Sequence, residues 1–147
     1  MWQWVDDETP STHSGGVSLR FTVEHVQTFW DADGDLDVVF LHYDELKADL
    51  EGQMRRLAAH LNIEVAEDRW PRLVQAATFE SMRSTADMMV PGGGREHWID
   101  PAAFFSRGTS GQWRDLLDEA DLARYAARVR KLASHDVVEW LHREPID

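Results

Sequence analysis

One short apolar run, Val38-Val39-Phe40-Leu41, constrains the fold more than any other stretch of this chain. It is β-branched, carries an aromatic residue and is bounded by acidic turn residues, the pattern of a strand buried on both faces. A lone parallel-type strand leaves its own backbone donors and acceptors unpaired, so it demands neighbours. Yet every other periodic segment reads as helix. Leu19, Val23, Val26 and Trp30 fall on one helical face, and Asp33-Gly34-Asp35 stops that helix. The spacing predicts a single helix from Asp44 to Asn62, docked on the strand. Its apolar stripe is Leu46, Leu50, Met54, Leu57 and Leu61, and Glu51 pairs with Arg55 on the outer face. A further helix covers Glu67 to Ala77 with Pro71 in its first turn, where a missing N–H costs little. A short one follows at Thr78 to Arg83. A helix of mixed pattern starts near Gln112, another runs from Glu119 to Ala133 on Leu122, Tyr125, Val129 and Leu132, and a last one carries Val137, Val138, Trp140 and Leu141.

The fold class expected is therefore α/β, mostly helical around one central parallel-type strand, with an exposed apolar surface where sheet partners would lie. At 147 residues the chain is one domain's worth. Residues 1–16 end in Ser11-Thr12-His13-Ser14-Gly15-Gly16 and lack periodicity, so they read as a loose lead-in to a domain over 17–147. Periodicity fails again over 87–101, where Pro91-Gly92-Gly93-Gly94 predicts a mobile loop.

Composition excludes several function classes. A formal charge of −12 repels phosphate backbones at long range, so the expected partners include no nucleic acid, and any anionic ligand needs a local arginine. The chain has no cysteine, which removes disulfides, thiolate metal sites and a cysteine nucleophile together. No His, Asp and Glu spacing suggests a metal site. No apolar run approaches the roughly 20 residues that span a bilayer, and the acidic start, Met1 to Thr9, is unlike a secretory signal. The expectation is a cytoplasmic protein without a membrane partner.

The stretch richest in chemistry is Ser106-Arg107-Gly108-Thr109-Ser110-Gly111-Gln112-Trp113-Arg114. Two glycines let backbone approach a ligand closely, and Thr109 or Ser110 is placed to cap a following helix, whose free N–H groups attract phosphate. Arg107 supplies a planar, permanently charged fork for phosphate oxygens. The same residues equally describe an ordinary glycine turn beside a surface arginine.

This run resembles the C-terminal signature of the sulfotransferase family, Arg-Lys-Gly-x-x-Gly-x-Trp-Lys. Arg107, Gly108, Gly111, Trp113 and Arg114 fall on its Lys, Gly, Gly, Trp and Lys. Val38 to Leu50 is similar to the family's last parallel strand leading into Tyr-Glu-Asp-Leu, here Tyr43-Asp44-Glu45-Leu46, and Thr78-Phe79-Glu80-Ser81-Met82 resembles its Ser-Phe-x-x-Met element. The resemblance spans about Val38 to Ala133. It implies the C-terminal part of a P-loop-like sulfotransferase fold and the transfer of a sulfuryl group from 3′-phosphoadenosine 5′-phosphosulfate to a hydroxyl or amine acceptor of unknown identity.

By that resemblance Tyr43 contacts the adenine region, and Thr78, Phe79 and Met82 wall the base. Arg107 with the Gly108 amide holds the 3′-phosphate, and Phe104 and Phe105, just upstream, complete the cofactor-binding set. Aromatic and thioether surfaces suit a purine. Phe79 and Met82, three apart, also read as core, and Tyr43 reads as the cap of one.

Departures from the family pattern are as informative. Ser106 replaces the signature's first arginine, leaving Arg107 nearly alone on the anion. Asp118, Glu119 and Ala123 do not match the family's dimer segment. Nothing from Met1 to Asp37 resembles the Lys-Ser-Gly-Thr-like loop that cradles the 5′-phosphosulfate, and no residue matches the catalytic histidine or the middle Arg/Ser pair. No catalytic or metal-binding residue is therefore assigned. The expectation is the C-terminal portion of a sulfotransferase-like protein, cut short, mis-started or a free-standing remnant, binding 3′-phosphoadenosine 5′-phosphate weakly and inactive alone. The alternative is a non-catalytic acidic α-helical interaction module that self-associates through an exposed sheet edge.

Overall fold

The computed structural model describes residues 1–8, 18–32, 34–89, 105 and 108–143. The chain divides into two compact units, Met1–Phe40 with Gln112–Asp147, and Leu41–Gly111.

The first unit is built on α2, Leu19–Asp31, whose start is set by Ser18. The Ser18 hydroxyl accepts from the Phe21 N–H at 3.0 Å, which satisfies one of the donors a helix start leaves over. Leu19 and Val23 of the expected stripe are buried with Val5, Val129 and Val138, and Trp2, Tyr125, Leu132 and Leu141 pack around them. Val129 comes from α8, Glu119–Val129, and Val138 from α9, His135–His142. Asp118 and Ser134 cap these two helices by accepting from the N–H groups of Asp121 and Val137. Gly34, with φ at +95°, takes the left-handed backbone that ends the α2 corner.

Residues 1–8 depart from the loose lead-in expected. Trp2–Asp6 forms a short helix, α1, and Val5 is buried in the core. Charged residues fasten it there. Glu8 accepts from Arg20 at 2.9 Å and from Arg128 at 2.7 Å. Arg124 pairs with Asp6, and its guanidinium lies 4.0 Å from the Trp2 ring centroid. The hydrogen bond from Arg128, reinforced by Arg20, holds the Glu8 carboxyl below its ordinary range. These partners lie more than ten residues away, so local periodicity does not reveal them. Residues 9–16 fall outside the described residues.

The central parallel-type strand expected at 38–41 is not found. Among the described residues there is no strand, only an isolated bridge at Leu36, and Val38 to Leu41 are half-buried rather than buried. A run this short becomes a strand only when a neighbour pairs its backbone. Phe40 instead packs on other rings, 5.2 Å from Trp30 and 5.3 Å from Trp140 between centroids.

The second unit is a string of short helices: α3 Tyr43–Ala48, α4 Leu50–His60, α5 Trp70–Ala76, α6 Phe79–Ser84 and α7 Ala86–Met89, with a 3-10 turn over Glu67–Arg69 before α5. Successive α-helices from α3 to α7 touch in sequence order. The single helix expected from Asp44 to Asn62 is thus two. Asp49 leaves helical geometry at φ −147° and ψ 74°, and its carboxylate accepts from the Gly52 N–H at 2.9 Å. An aspartate that can cap competes with helix continuation, and here the cap wins. Glu51 and Arg55 pair as expected at 2.8 Å. Arg55 also forms a bidentate pair with Glu67, both contacts at 2.8 Å, and stacks 4.4 Å from the Trp70 ring centroid. Pro71 occupies the first turn of α5.

An open apolar groove of about 190 Å³ runs between α4 and α5, lined by Met54, Leu57, Leu61, Ile63, Trp70 and Leu73 among others. The loop expected over 87–101 lies outside the described residues except at its start, where α7 carries helix to Met89. No helix among the described residues is long and apolar enough to cross a membrane.

Candidate functional site

Three sequence elements meet in the second unit. Helix α3 begins at Tyr43. Thr78 caps α6: its hydroxyl oxygen accepts from the Ser81 N–H at 3.2 Å and donates its own proton to the Gln75 carbonyl at 2.9 Å. That cap places Phe79 in the first turn of α6, and the Phe79 ring meets Phe105 edge to face, with centroids 6.1 Å apart and planes at 73°. The third element is the turn Gly108 to Gly111, in which both glycines take the left-handed backbone, at φ +62° and +79°. L-residues adopt that conformation at a cost of roughly 1–2 kcal/mol.

Gly108 is needed for a second reason. A Cβ there would lie 2.8 Å from Cγ of Phe79 and 2.9 Å from its Cδ1 and Cδ2, distances at which side chains do not coexist. The turn therefore lies with bare backbone against the Phe79 ring. Its other end is tied differently: the Ser110 hydroxyl donates to Oδ1 of Asp44, in the first turn of α3. Oδ2 of Asp44 lies 3.9 Å from Nδ1 of His42, and that ring nitrogen accepts from the Asp44 N–H at 3.2 Å. The turn thus touches both α6 and α3.

Of the expected nucleotide-binding residues, the structure brings Phe105 and Gly108 each against Phe79, all three half-buried. Thr78 is beside them as the cap of α6, and Met82 is half-buried on the same helix one turn on. Tyr43 is adjacent in sequence to Asp44 and 49% exposed, so it caps no core, and Lys47 Nζ lies 5.8 Å from its ring centroid. Phe104 and Arg107 lie outside the described residues.

Of the two residues expected to cap a following helix, Thr109 or Ser110, the structure gives Ser110 a different partner. Its hydroxyl serves Asp44, and the next element is a 3-10 turn over Gln112–Asp115 rather than an α-helix. In that turn Arg114 stacks on Trp113, 4.5 Å from the ring centroid. Sequence reasoning missed Asp44 as a site residue. Its only signal was its place beside Tyr43, since its partner is 66 residues away. No group of His, Asp or Glu among the described residues is arranged to hold a metal ion.

Chemically, two half-buried aromatic rings packed edge to face beside a glycine turn offer apolar surface and close main-chain approach. Such a set suits a planar base carrying an anionic group.

Comparison with known proteins adds an independent line. The family described as "Sulfotransferase domain" matches residues 9–142. A glycolipid sulfotransferase of Mycobacterium bovis is 36% identical over 132 residues, covering 89% of this chain and 40% of the relative. A second, from Mycobacterium tuberculosis, is 35% identical over 132 residues, 89% of this chain and 40% of the relative. Sulfotransferase 1C2 of Oryctolagus cuniculus is 27% identical over 121 residues, 80% of this chain and 40% of the relative. The chain thus spans about 40% of the length of these relatives. No solved structure matches significantly.

Proposed function

The chain belongs to the sulfotransferase family, and from that premise we propose that it contributes the adenosine 3′-phosphate side of a site for 3′-phosphoadenosine 5′-phosphosulfate. The observation that carries this reading is the convergence of Phe79, Phe105 and the left-handed Gly108 backbone in one unit. The residues fit the nucleotide in kind. Phe79 and Phe105 present ring surface to a purine, Thr78 and Met82 border it, and the Gly108 turn admits a phosphate close to main-chain N–H groups. Arg107 supplies the guanidinium, and with Ser106 in place of a second cation the binding is weak.

Sulfuryl transfer needs an acceptor, a sulfur and a leaving phosphate in line, a base for the acceptor proton and cations for the departing charge. By the family resemblance, no residue of this chain is assigned to the phosphosulfate loop or to the catalytic histidine, and we propose that this chain alone does not turn over. In a whole enzyme the acceptor is a hydroxyl or amine compound, and the glycolipid sulfotransferases among the relatives make a sugar hydroxyl the first to test. We place the protein in the cytoplasm.

The test is calorimetric titration of the chain with 3′-phosphoadenosine 5′-phosphate, alongside incubation with the phosphosulfate and a panel of alcohols, amines and a glycolipid. Weak saturable binding that Arg107→Ala abolishes, with no sulfated product, is expected. An absence of binding refutes the nucleotide site, and sustained turnover refutes the assignment of inactivity.

A further inference from the structure

The turn Gly108 to Gly111 is held at two points. At Gly108 the hold is shape: bare backbone against the Phe79 ring of α6. At Ser110 it is a charge-assisted hydrogen bond to Asp44 in the first turn of α3. Charge-assisted bonds of this kind are stronger than neutral ones. Each attachment lands on a helix that carries a residue of the proposed adenosine site, Thr78 and Phe79 on α6 and Tyr43 on α3. A left-handed glycine turn has many backbone conformations open to it when untethered. Two tethers on different helices leave it few.

We propose that Asp44 and Ser110 are a positioning pair that locks the Gly108 to Gly111 turn across α3 and α6, presetting the backbone that receives the nucleotide's phosphate. This rests on the nucleotide reading above for its consequence, though not for the lock itself. Neither residue touches the nucleotide. Asp44 acts through Ser110, and Ser110 acts through the turn. Because both side chains are exposed, the pair adds little to global stability, and its effect is on the population of the binding-ready backbone.

The experiment has two arms on the full chain. In the first, amide hydrogen exchange is measured without ligand in wild type, Ser110→Ala, Asp44→Ala and Ser110→Thr. Exchange at Thr109 to Gly111 is expected to rise several-fold in the two alanine variants and to return to the wild-type rate in Ser110→Thr, which keeps the hydroxyl. Thermal midpoints move by no more than about 4 °C. In the second arm, 3′-phosphoadenosine 5′-phosphate is titrated into the same four proteins. Ser110→Ala and Asp44→Ala should weaken binding about three- to tenfold, with Ser110→Thr close to wild type. Unchanged exchange in both alanine variants overturns the lock. Raised exchange with unchanged affinity overturns the positioning role while leaving the nucleotide site intact. If the wild type does not bind, the functional reading and the positioning role fall together, and the exchange arm still decides whether the lock exists.

Discussion

Replacing Gly108 by alanine isolates the closest approach in the site. Two costs add. The residue sits at φ +62°, where an L-residue is disfavoured by roughly 1–2 kcal/mol. Its new Cβ would also meet three Phe79 ring atoms at 2.8 to 2.9 Å, well inside the roughly 3.5–4.0 Å at which carbons rest. Forcing a ring to give way in a packed setting costs about 1–3 kcal/mol. The sum, about 2–5 kcal/mol, is a large share of the roughly 5–15 kcal/mol that keeps a domain folded. The two terms separate in a double-mutant cycle with Phe79→Ala, followed by urea unfolding monitored by circular dichroism. With the ring removed, only the backbone term remains, so Gly108→Ala should cost about 1–2 kcal/mol in that background and the coupling should be about 1–3 kcal/mol. The reasoning is refuted if Gly108→Ala is neutral in the native background, or if its cost is the same with and without the ring.

Other expectations follow from the packing and the charges. Val129→Ala, at a site with 0% exposure, should lower stability by about 2 kcal/mol, between the costs of the smaller and larger core truncations, and denaturant titration reads it directly. Because Arg128 and Arg20 hold the Glu8 carboxyl below its ordinary value of 4.5, its contribution is complete above that value and is lost as pH falls through the lowered one. Glu8→Gln should therefore be less stable than wild type at neutral pH, converge with it in acid, and show a smaller deficit in high salt. Asp49→Ala removes the cap of α4 and should cost about 1 kcal/mol. Gly52→Ala pushes the Asp49 carboxylate aside, since its Cβ would lie 2.0 Å from Oδ2, yet gains about 1 kcal/mol of helix propensity, so thermal melting should show little net change.

What could be read from the residues was local. The α2 stripe, Pro71 in the first turn of α5, the short helix at Thr78 to Arg83 and the Glu51–Arg55 pair all depend on neighbours within four positions, and the structure contains each of them. The break at Asp49 was local too, but the leucine stripe running through it hid the capping aspartate. What could not be read was non-local. Val5 is core only because Leu19, Val23 and Val129 close around it. The 38–41 run has strand composition, yet a strand exists only in a ladder, and Phe40 found Trp30 and Trp140 instead. In the site, the family resemblance named Phe79 and Gly108 as residues of one pocket, but not that the space of the glycine's missing Cβ is filled by the phenylalanine ring. Ser110 was within view as a cap, and its true partner lay 66 positions away.

The central claim is that the α3 start, the α6 start and the glycine turn together receive a 3′-phosphorylated adenosine. Titration of isotope-labelled chain with 3′-phosphoadenosine 5′-phosphate, followed by amide chemical shifts, locates binding residue by residue. Saturable shifts concentrated at Tyr43, Thr78 to Met82, Phe105 and Gly108 to Gly111 are predicted. Shifts confined to other residues, or none at millimolar nucleotide, would contradict it.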